Sequence, residues 1–268
     1  NKLFERLHMN AIMLPCEIKK GELPKLLDAC RLMGIHYLCP TMPHKSDFVD
    51  LLDDVDETSK LFHSVNAIRL DENGSHGSGM DGKGAVKAME EGGAKLNGIN
   101  ALLYGAGGIS GVTAFELAQS GVKKLYIANR TPEKAEKIAR LVNEHTAATA
   151  EVIGTDAAAL DMAAESCELF ANLTPLGMKG FDKKHDYLGF IDRMPKTATV
   201  FDCVINPPLS ETITAARTAG LNTVPGMRML VAQMDVIFKF LFNQTVTGAD
   251  KQACIEELCN YLGVPSNF

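Results

Sequence analysis

The sequence predicts an α/β protein with a parallel, Rossmann-like sheet, and three observations support this fold class. Strand patterns alternate with helix patterns along the chain, which is typical of a parallel sheet covered by helices. An apolar run over residues 99–103 leads into a glycine-rich turn at 105–108 and then into a helical pattern. A second strand pattern follows at 125–128, and a helix pattern begins at Pro132. Together these features predict a dinucleotide-binding unit of strand, turn and helix.

Each element is predicted from its own pattern, because apolar residues three and four apart indicate helices and short apolar runs indicate strands. The first part of the chain is predicted to hold a helix over 2–7, a strand near 11–15, a helix over 23–33, a strand over 36–39, a helix over 48–53 and an apolar segment over 64–70. The later part is predicted to hold a helix over 132–145, strands near 150, 169 and 199, and helices over 227–242 and 249–262.

The glycine-rich stretch 73–84 lies between these two parts and is interpreted as a domain boundary. We therefore expect a smaller α/β substrate-binding domain over 1–84, completed by C-terminal helices in 227–268. The dinucleotide-binding domain is expected over 85–226.

Composition limits the classes of function. The chain has 268 residues, of which 46% are hydrophobic, so it can bury a sizeable core. The formal net charge of −6 and the absence of a long basic stretch argue against a nucleic-acid partner. No apolar run reaches the length of a membrane-spanning helix and the first residues do not resemble a signal peptide, so no membrane partner and a cytoplasmic location are expected. The seven cysteines and seven histidines are dispersed, so no metal is predicted.

The glycine-rich turn has the spacing of a dinucleotide-binding loop. Gly105 permits the sharp turn from strand to helix, and Gly107 lets the backbone approach a pyrophosphate that faces the first helical N–H groups. The small side chain of Ser110 takes the third position of the GxGxxG/A pattern, where helix and strand pack closely. The alternative interpretation is a glycine-rich turn in another kind of α/β protein.

The end of the next strand pattern indicates which dinucleotide would bind. Asn129 lies 24 residues after the first glycine of the turn, where NAD-binding sheets usually carry a carboxylate for the ribose 2′-hydroxyl. Arg130, Thr131 and Lys134 instead supply a guanidinium, a hydroxyl and an ammonium that would neutralise a 2′-phosphate, so NADP is favoured over NAD. The alternative is that Thr131 only caps the helix beginning at Pro132, with Arg130 and Lys134 as solvated charges.

Two charged residues are candidates for proton transfer. Lys45 follows a strand pattern, at the carboxyl end where α/β sheets bind ligands, and its ammonium could exchange a proton with an alcohol oxygen. Asp81 lies among glycines that allow close approach to a ligand, and a carboxylate beside Lys45 would hold the ammonium in place. The alternatives are a surface lysine at a helix cap and a turn aspartate.

Two amides are candidates for recognising hydroxyl groups. Asn66 interrupts an apolar segment, and Gln233 lies beside an apolar helix face marked by Leu230 and Ile237. A buried amide needs hydrogen-bond partners, which a ligand hydroxyl would provide. Backbone groups or a neighbouring loop could satisfy the same amides, and this alternative stays open. His44, beside Lys45, is weighed as a structural or exposed histidine.

Several segments match, in order and spacing, the motifs of a known family. The matching segments are 41–45 (TMPHK), 64–67 (SVNA), 81–84 (DGKG), 105–108 (GAGG), 129–131 (NRT), 172–178 (NLTPLGM), 202–207 (DCVINP) and 226–233 (GMRMLVAQ). They resemble the family motifs TxPHK, AVNT, the DGxG of NTDG, the cofactor loop, NRT, NATPxGM, DxxYNP and GxxMLxxQ. On these segments the chain resembles the shikimate/quinate dehydrogenases across nearly its full length.

The resemblance implies reversible hydride transfer between NADP and a ring hydroxyl of a small-molecule substrate, as in 3-dehydroshikimate and shikimate. It implies that Lys45 and Asp81 are the catalytic pair and that Thr41, Asn66 and Gln233 hold ring hydroxyls. It also places Asn172, Thr174, Gly226 and Met229 on the nicotinamide side. The residues expected at the cofactor, from the turn, the strand end and the resemblance together, are Gly105, Ala106, Gly107, Gly108, Ile109, Asn129, Arg130, Thr131, Lys134, Asn172, Thr174, Gly226 and Met229. A monomer or homodimer is expected.

The chain departs from the family pattern at three places. Gly79 and Met80 replace the Asn and Thr of NTDG, and Ile205 replaces the tyrosine of DxxYNP, so we expect a more apolar pocket. The family begins with a strand and an SxSP loop that binds the substrate carboxylate, and Asn1 corresponds to a position just after it. We therefore expect either a truncated sequence or a different carboxylate contact. Two alternatives follow: a paralogue acting on quinate or another hydroxylated ring acid, and a non-catalytic NADP-sensing regulator.

Overall fold

The computed structural model describes residues 1–266 and confirms the α/β fold class. Two compact units are formed, one from residues 1–80 with 234–258 and the other from residues 81–233 with the chain from 259 onward. The units therefore change over at Met80 and Gln233, whereas the functional domains are predicted to change over at 84 and 226. The last two residues of the predicted segment 227–268 lie outside the described residues.

The first unit is built on a four-stranded mixed sheet. Its helices and strands are α1 (Lys2–Arg6), α2 (Leu23–Met33), β1 (Tyr37–Leu38), β2 (Asp54–Val55), α3 (Glu57–Phe62), β3 (Ala67–Asp71) and β4 (Gly74–Ser78). The strand order is β1-β3-β4-β2, with β3 antiparallel to β1 and β4, and β2 parallel to β4. Leu23 and Leu27 of α2 pack with Val65, Ile68 and Leu70 in the core beneath the sheet. This core fixes the segments on either side of β3.

Two predictions for this unit are wrong in detail. Residues 11–15 form no strand, and Ile12 is 69% exposed, because no described strand pairs with this segment. Residues 48–53 contain only a 3₁₀ turn at Val49–Leu51, which β2 follows directly. The glycine-rich stretch 73–84, interpreted as a domain boundary, contains β4 and the start of the next helix, and the change between the two units after Met80 falls within it.

The second unit carries the predicted parallel sheet. Its strands are β5 (Asn100–Tyr104), β6 (Lys124–Ala128), β7 (Thr149–Ile153), β8 (Leu169–Asn172), β9 (Thr199–Asp202) and β10 (Asn222–Pro225). They lie in the order β10-β9-β8-β5-β6-β7, and all neighbours are parallel. The order reverses between β5 and β8. Ligands of open α/β sheets bind at this switch point, beyond the carboxyl ends of the strands.

Helices cover both faces of this sheet. They are α4 (Asp81–Glu91), α5 (Ser110–Gln119), α6 (Pro132–His145), α7 (Ala157–Ala164), α8 (Glu211–Thr218) and the first part of α9 (Gly226–Phe242). The rest of α9, from residue 234, and residues 248–258 of α10 (Gly248–Leu262) belong to the first unit. One core lies on the face with Leu103 and Ile127, and a second lies on the face with Leu102 and Phe170. The predicted bounds of α6 agree with the structure. No described helix is both long and apolar enough to cross a bilayer.

Helix α4 lies unusually close to its neighbour α5. A Cβ atom added at Gly82 would lie 2.5 Å from the carbonyl oxygen of Val112 on α5. Contacts this short with backbone do not occur, so only glycine is accommodated at position 82. The two helix backbones are therefore in direct contact, and this contact sets the position of the first turn of α4.

We predict that Gly82→Ala lowers the free energy of unfolding by about 1–3 kcal/mol, because overpacking outweighs the helix propensity gained with alanine. Gly248→Ala is the matched control, since a Cβ at that helical glycine would meet nothing within 4 Å. Urea denaturation of both variants measures the effect. Equal or higher stability of Gly82→Ala relative to wild type would contradict the packing argument.

Candidate active site

The glycine-rich turn leaves open space at its centre. Gly105 has a φ of +116°, and a Cβ there would lie 2.6 Å from Cγ2 of Thr174, so glycine is required by the fold. Gly107 and Gly108 are exposed, and a Cβ at either position would meet nothing within 4 Å. The Ser110 hydroxyl accepts a hydrogen bond from the Gly107 N–H at 3.0 Å. Internal packing therefore explains Gly105 but gives no reason for glycine at positions 107 and 108.

Asn129 ties this turn to the end of β6. Its side-chain oxygen accepts the Ala106 N–H at 3.1 Å, and its Nδ2 donates to the Thr131 carbonyl at 2.7 Å. Gly105 N–H also donates to the Ala128 carbonyl at 2.8 Å. Hydrogen bonds thus join the glycine-rich turn to the segment that leads into α6.

Three exposed polar side chains lie next to the glycine-rich turn: Arg130, Thr131 and Lys134. Thr131 occupies the N-cap position of α6 but its hydroxyl makes no capping hydrogen bond, so the capping alternative is not supported. Arg130 and Lys134 form no ion pair with any carboxylate of residues 1–266. Burial raises the pKa of the nearby Tyr104 phenol, and the Arg130 guanidinium opposes that shift. Two cations thus lie at the N-terminus of a 14-residue helix, an arrangement suited to an anion.

The ends of β8 and β9 are joined by a buried carboxylate. Asp202 is fully buried, and its Oδ1 accepts the Asn172 Nδ2 at 2.9 Å and the Val204 N–H at 3.0 Å. Its Oδ2 accepts the Ser210 hydroxyl at the N-cap of α8. Burial raises the pKa of Asp202 to about 6, while hydrogen bonds from Ser210, Val204 and Asn172 partly offset the shift. An ionised carboxylate in this position is stabilised by three donors.

The Asn172 amide is fully engaged inside the protein. Its oxygen accepts the Thr174 hydroxyl at 2.7 Å and the Thr174 N–H at 3.1 Å, and the residue has no exposed surface. Met229 is also buried, in the core of the parallel sheet. Gly226 permits close packing, since a Cβ there would lie 2.6 Å from the Cys203 carbonyl. Of the four residues expected on the nicotinamide side, Thr174 is the most accessible.

Asp81 is held in place within the same unit. It begins α4, and its Oδ1 accepts a hydrogen bond from Nε2 of Gln233 at 2.7 Å. A Cβ at Gly84 would lie 2.7 Å from Cβ of Gln233, so the missing side chain lets Gln233 approach α4. The sequence analysis placed Gly84 only in the stretch interpreted as a domain boundary, whereas Gly82 and Gly84 lie in α4 and pack against different neighbours. Gln233 therefore has a partner of its own besides any ligand.

The remaining candidates lie together in the first unit. Thr41 is exposed on the loop before Lys45, and the Lys45 carbonyl accepts the Val65 N–H at 2.9 Å. This bond places Lys45 beside Asn66, which follows Val65 in the chain. The Asn66 side-chain oxygen accepts the Met80 N–H at 2.6 Å, which sets the orientation of its amide. The structure thus brings the lysine and the asparagine onto adjacent loops.

His44 and Met80 have structural positions. The His44 ring contacts the Ile18 carbonyl at 2.8 Å and Asp47 at 3.1 Å, which agrees with a structural histidine. The Met80 side chain is buried and packs with Ala67 and Leu241, so it does not make a pocket more apolar as expected. Ile205, the other departure, is half-buried on the loop after β9.

Comparison with known proteins identifies the family. The family model described as shikimate/quinate 5-dehydrogenase matches residues 86–167, and the shikimate dehydrogenase substrate-binding domain model matches residues 1–68. The NADP-dependent shikimate dehydrogenase of Alkaliphilus oremlandii is 31% identical over 245 residues, covering 89% of this chain and 84% of the relative.

Two solved structures show the same fold. The ligand-free 5-ketofructose reductase of Gluconobacter is 25% identical, with a TM-score of 0.86 over 96% of this chain and 91% of the other. The quinate dehydrogenase of Corynebacterium glutamicum in complex with NAD is 25% identical, with a TM-score of 0.80 over 95% and 92%. The parallel sheet and the glycine-rich turn define the class, an α/β protein with a fold of the dinucleotide-binding type. The chain belongs to the shikimate/quinate dehydrogenase family.

We predict that Asp202 makes stability depend on pH. Its folded pKa of about 6 lies above the ordinary 3.8, so its favourable contribution is present below about pH 4 and is lost as the pH rises through 6. The difference in free energy of unfolding between wild type and Asp202→Asn should shift by about 1–3 kcal/mol between pH 4.5 and 7.5. Urea denaturation across this range measures it, and a pH-independent difference would contradict the expectation.

Proposed function

We propose that this chain catalyses the NADP-dependent, reversible reduction of 3-dehydroshikimate to shikimate, a step of aromatic amino acid biosynthesis. The observation that carries the proposal is the exposed glycine pair, Gly107 and Gly108, beside the unpaired cations Arg130 and Lys134. Membership of the family and the activity named for the Alkaliphilus relative supply the substrate class. A dinucleotide fits these residues because the space above the glycines is what its pyrophosphate needs.

The proposed binding roles follow from the chain's own groups. The N–H groups of Gly108 and Ile109 would face the pyrophosphate, since those of Ala106 and Gly107 donate to Asn129 and Ser110. The side chains that would bind the 2′-phosphate are Arg130, Thr131 and Lys134. When bound, NADPH supplies the hydride. Asn172 and Asp202 hold Thr174 from within the protein. Four of the residues proposed at the cofactor also pack or form hydrogen bonds within the protein: Asn129, Asn172, Gly226 and Met229.

The proposed proton transfer uses Lys45 and Asp81. The Lys45 ammonium would give a proton to the ring oxygen as the alcohol forms and take it back in the reverse direction. Asp81, oriented by Gln233, would keep that ammonium charged. Thr41, Asn66 and Gln233 would read the ring hydroxyls. An unpaired buried amide disfavours a substrate that lacks the matching hydroxyl.

The functional domains proposed are a substrate-binding domain over 1–84 with 227–268 and a dinucleotide-binding domain over 85–226. A cytoplasmic location is part of the proposal, supported by the seven free cysteines. A monomer or homodimer remains a prediction. Quinate or another hydroxylated ring acid is the second candidate substrate, favoured by Ile205 in place of the family tyrosine and by the quinate dehydrogenase neighbour.

Initial rates of nicotinamide absorbance change test the activity, with NADP and NAD each crossed against shikimate, quinate and fructose. We expect turnover with NADP and shikimate, and a drop of at least about 10²-fold in kcat for Lys45→Ala, because general acid–base catalysis is lost. Lys60→Ala, which removes a surface ion pair with Asp54, is the control. NADP binding by Lys45→Ala should stay within about threefold of wild type.

Turnover with quinate alone would select the second candidate. NADP binding without turnover on any ring acid would favour the sensing regulator, whereas full activity of Lys45→Ala would show that Lys45 is not the proton-transfer group.

Cofactor selectivity has a separate test. Arg130→Ala should raise the Kd for NADP about 10- to 100-fold, the effect of one lost hydrogen-bonded charge pair, while leaving the Kd for NAD unchanged. Arg140→Ala, which replaces an exposed arginine on α6, the helix that follows Arg130, is the control. Calorimetric titration of both dinucleotides measures the change. Equal losses for NADP and NAD would show that Arg130 does not contact the 2′-phosphate.

A further inference from the structure

Asp202 is a buried carboxylate with no part in the proposed proton transfer. It lies at the carboxyl end of β9 and has no exposed surface. Burying a carboxylate costs free energy even when hydrogen bonds compensate it, so its presence calls for a use. Its two oxygens have different partners. Oδ1 accepts from Asn172 and Val204, and Oδ2 accepts from Ser210.

The Oδ1 side leads by direct contacts to the glycine turn. Asn172 Nδ2 donates to Asp202 at 2.9 Å, which leaves the amide oxygen facing Thr174. That oxygen accepts both the hydroxyl and the N–H of Thr174, at 2.7 and 3.1 Å. The Thr174 hydroxyl in turn accepts the Leu176 N–H at 3.2 Å. Two hydrogen bonds of the hydroxyl therefore fix the rotamer of the Thr174 side chain, and the third holds its backbone.

Thr174 then packs on the first glycine of the turn. Its Cγ2 lies 2.6 Å from the position that a Cβ atom on Gly105 would take, which is too close for any residue other than glycine. The Leu173 N–H also donates to the Tyr104 carbonyl at 2.9 Å, so the chain leaving β8 runs beside the chain leaving β5. A rotated Asn172 amide would present its NH₂ group to Thr174 and release this contact. The Asp202 carboxylate excludes that orientation. An ionised carboxylate only accepts hydrogen bonds, so Asn172 has to turn its NH₂ group toward Asp202.

We propose that Asp202 is a positioning residue for the cofactor loop: it fixes the Asn172 amide, which fixes Thr174 against Gly105. The inference rests on the proposed function, since it assigns this loop to the dinucleotide. The Oδ2 contact with Ser210 serves a separate purpose, because the Ser210 hydroxyl also accepts the Ile213 N–H at 3.2 Å and caps α8.

The different partners of the two oxygens provide matched variants. Asp202→Ala removes the acceptor of Asn172. Asp202→Asn keeps an oxygen for Asn172 and Val204 and turns an NH₂ toward Ser210, so it should restore the positioning. Ser210→Ala removes the Oδ2 contact and the helix cap but leaves the Asn172 bond. Thr174→Val, which keeps the methyl group and loses the hydroxyl, tests the same path if Asp202→Ala does not fold.

The first readout is the Kd for NADP from calorimetry, together with the melting temperature. We expect Asp202→Ala, or Thr174→Val in its place, to raise the Kd about tenfold or more, the effect of losing a hydrogen bond to a charged group. Asp202→Asn should stay within about threefold of wild type. Ser210→Ala should lower the melting temperature with its Kd also within about threefold. An equal rise in Kd for Ser210→Ala and Asp202→Ala, or no rise for Asp202→Ala and Thr174→Val, would overturn the proposal.

The second readout is hydrogen–deuterium exchange of the peptide covering 104–111 in the ligand-free protein. We expect faster exchange in Asp202→Ala than in wild type and no change in Ser210→Ala. If wild type does not bind NADP but this exchange pattern holds, the proposed function fails and the positioning role stands. If wild type binds NADP and the exchange pattern is absent, the positioning role fails alone.

Discussion

The close approach of helix α4 to its neighbours is the constraint on which this site depends. Gly82 brings α4 against the backbone of α5, and Gly84 brings it against Gln233 in the middle of α9. Asp81 precedes both glycines, so its carboxylate is placed by contacts between backbones rather than by a flexible side chain. Because backbone contacts tolerate almost no added volume, they would fix the proposed catalytic carboxylate to within the few tenths of an ångström that proton transfer requires.

The family motifs acquire physical reasons from these contacts. In DGKG the aspartate would do the chemistry, and the glycines determine where it sits. In GAGG the first glycine satisfies the fold through its positive φ and its contact with Thr174, while the second and third face open space. Glycine is thus required by packing inside the protein at Gly105, whereas at Gly107 it would leave room for a ligand. The motif pattern alone does not separate these two demands.

Sequence reasoning predicted the parallel sheet well and the smaller sheet poorly. Leu125 and Ile127 are fully buried in the core, and such strands give strong local signals. Strand β4 was missed because its residues, Gly74 to Ser78, are polar or lack side chains and are buried by tertiary contacts. The strand expected at 11–15 was apolar enough but has no described pairing partner. Asp202 was read only as part of a motif, since the donors that surround it come from residues 30 positions before and 8 after.

Within the proposed dinucleotide site, Asn129 is part of the fold, whereas Arg130 and Lys134 are not. Its amide spans the glycine turn and the backbone of Thr131, so replacing it would disturb both segments at once. Arg130 and Lys134, in contrast, point outward and support no other element of the described chain. Mutations there can accumulate without a folding penalty. If the proposed site is right, surface substitutions alone can change the preference between the two nicotinamide dinucleotides, while the loop proposed to hold the pyrophosphate keeps its structure.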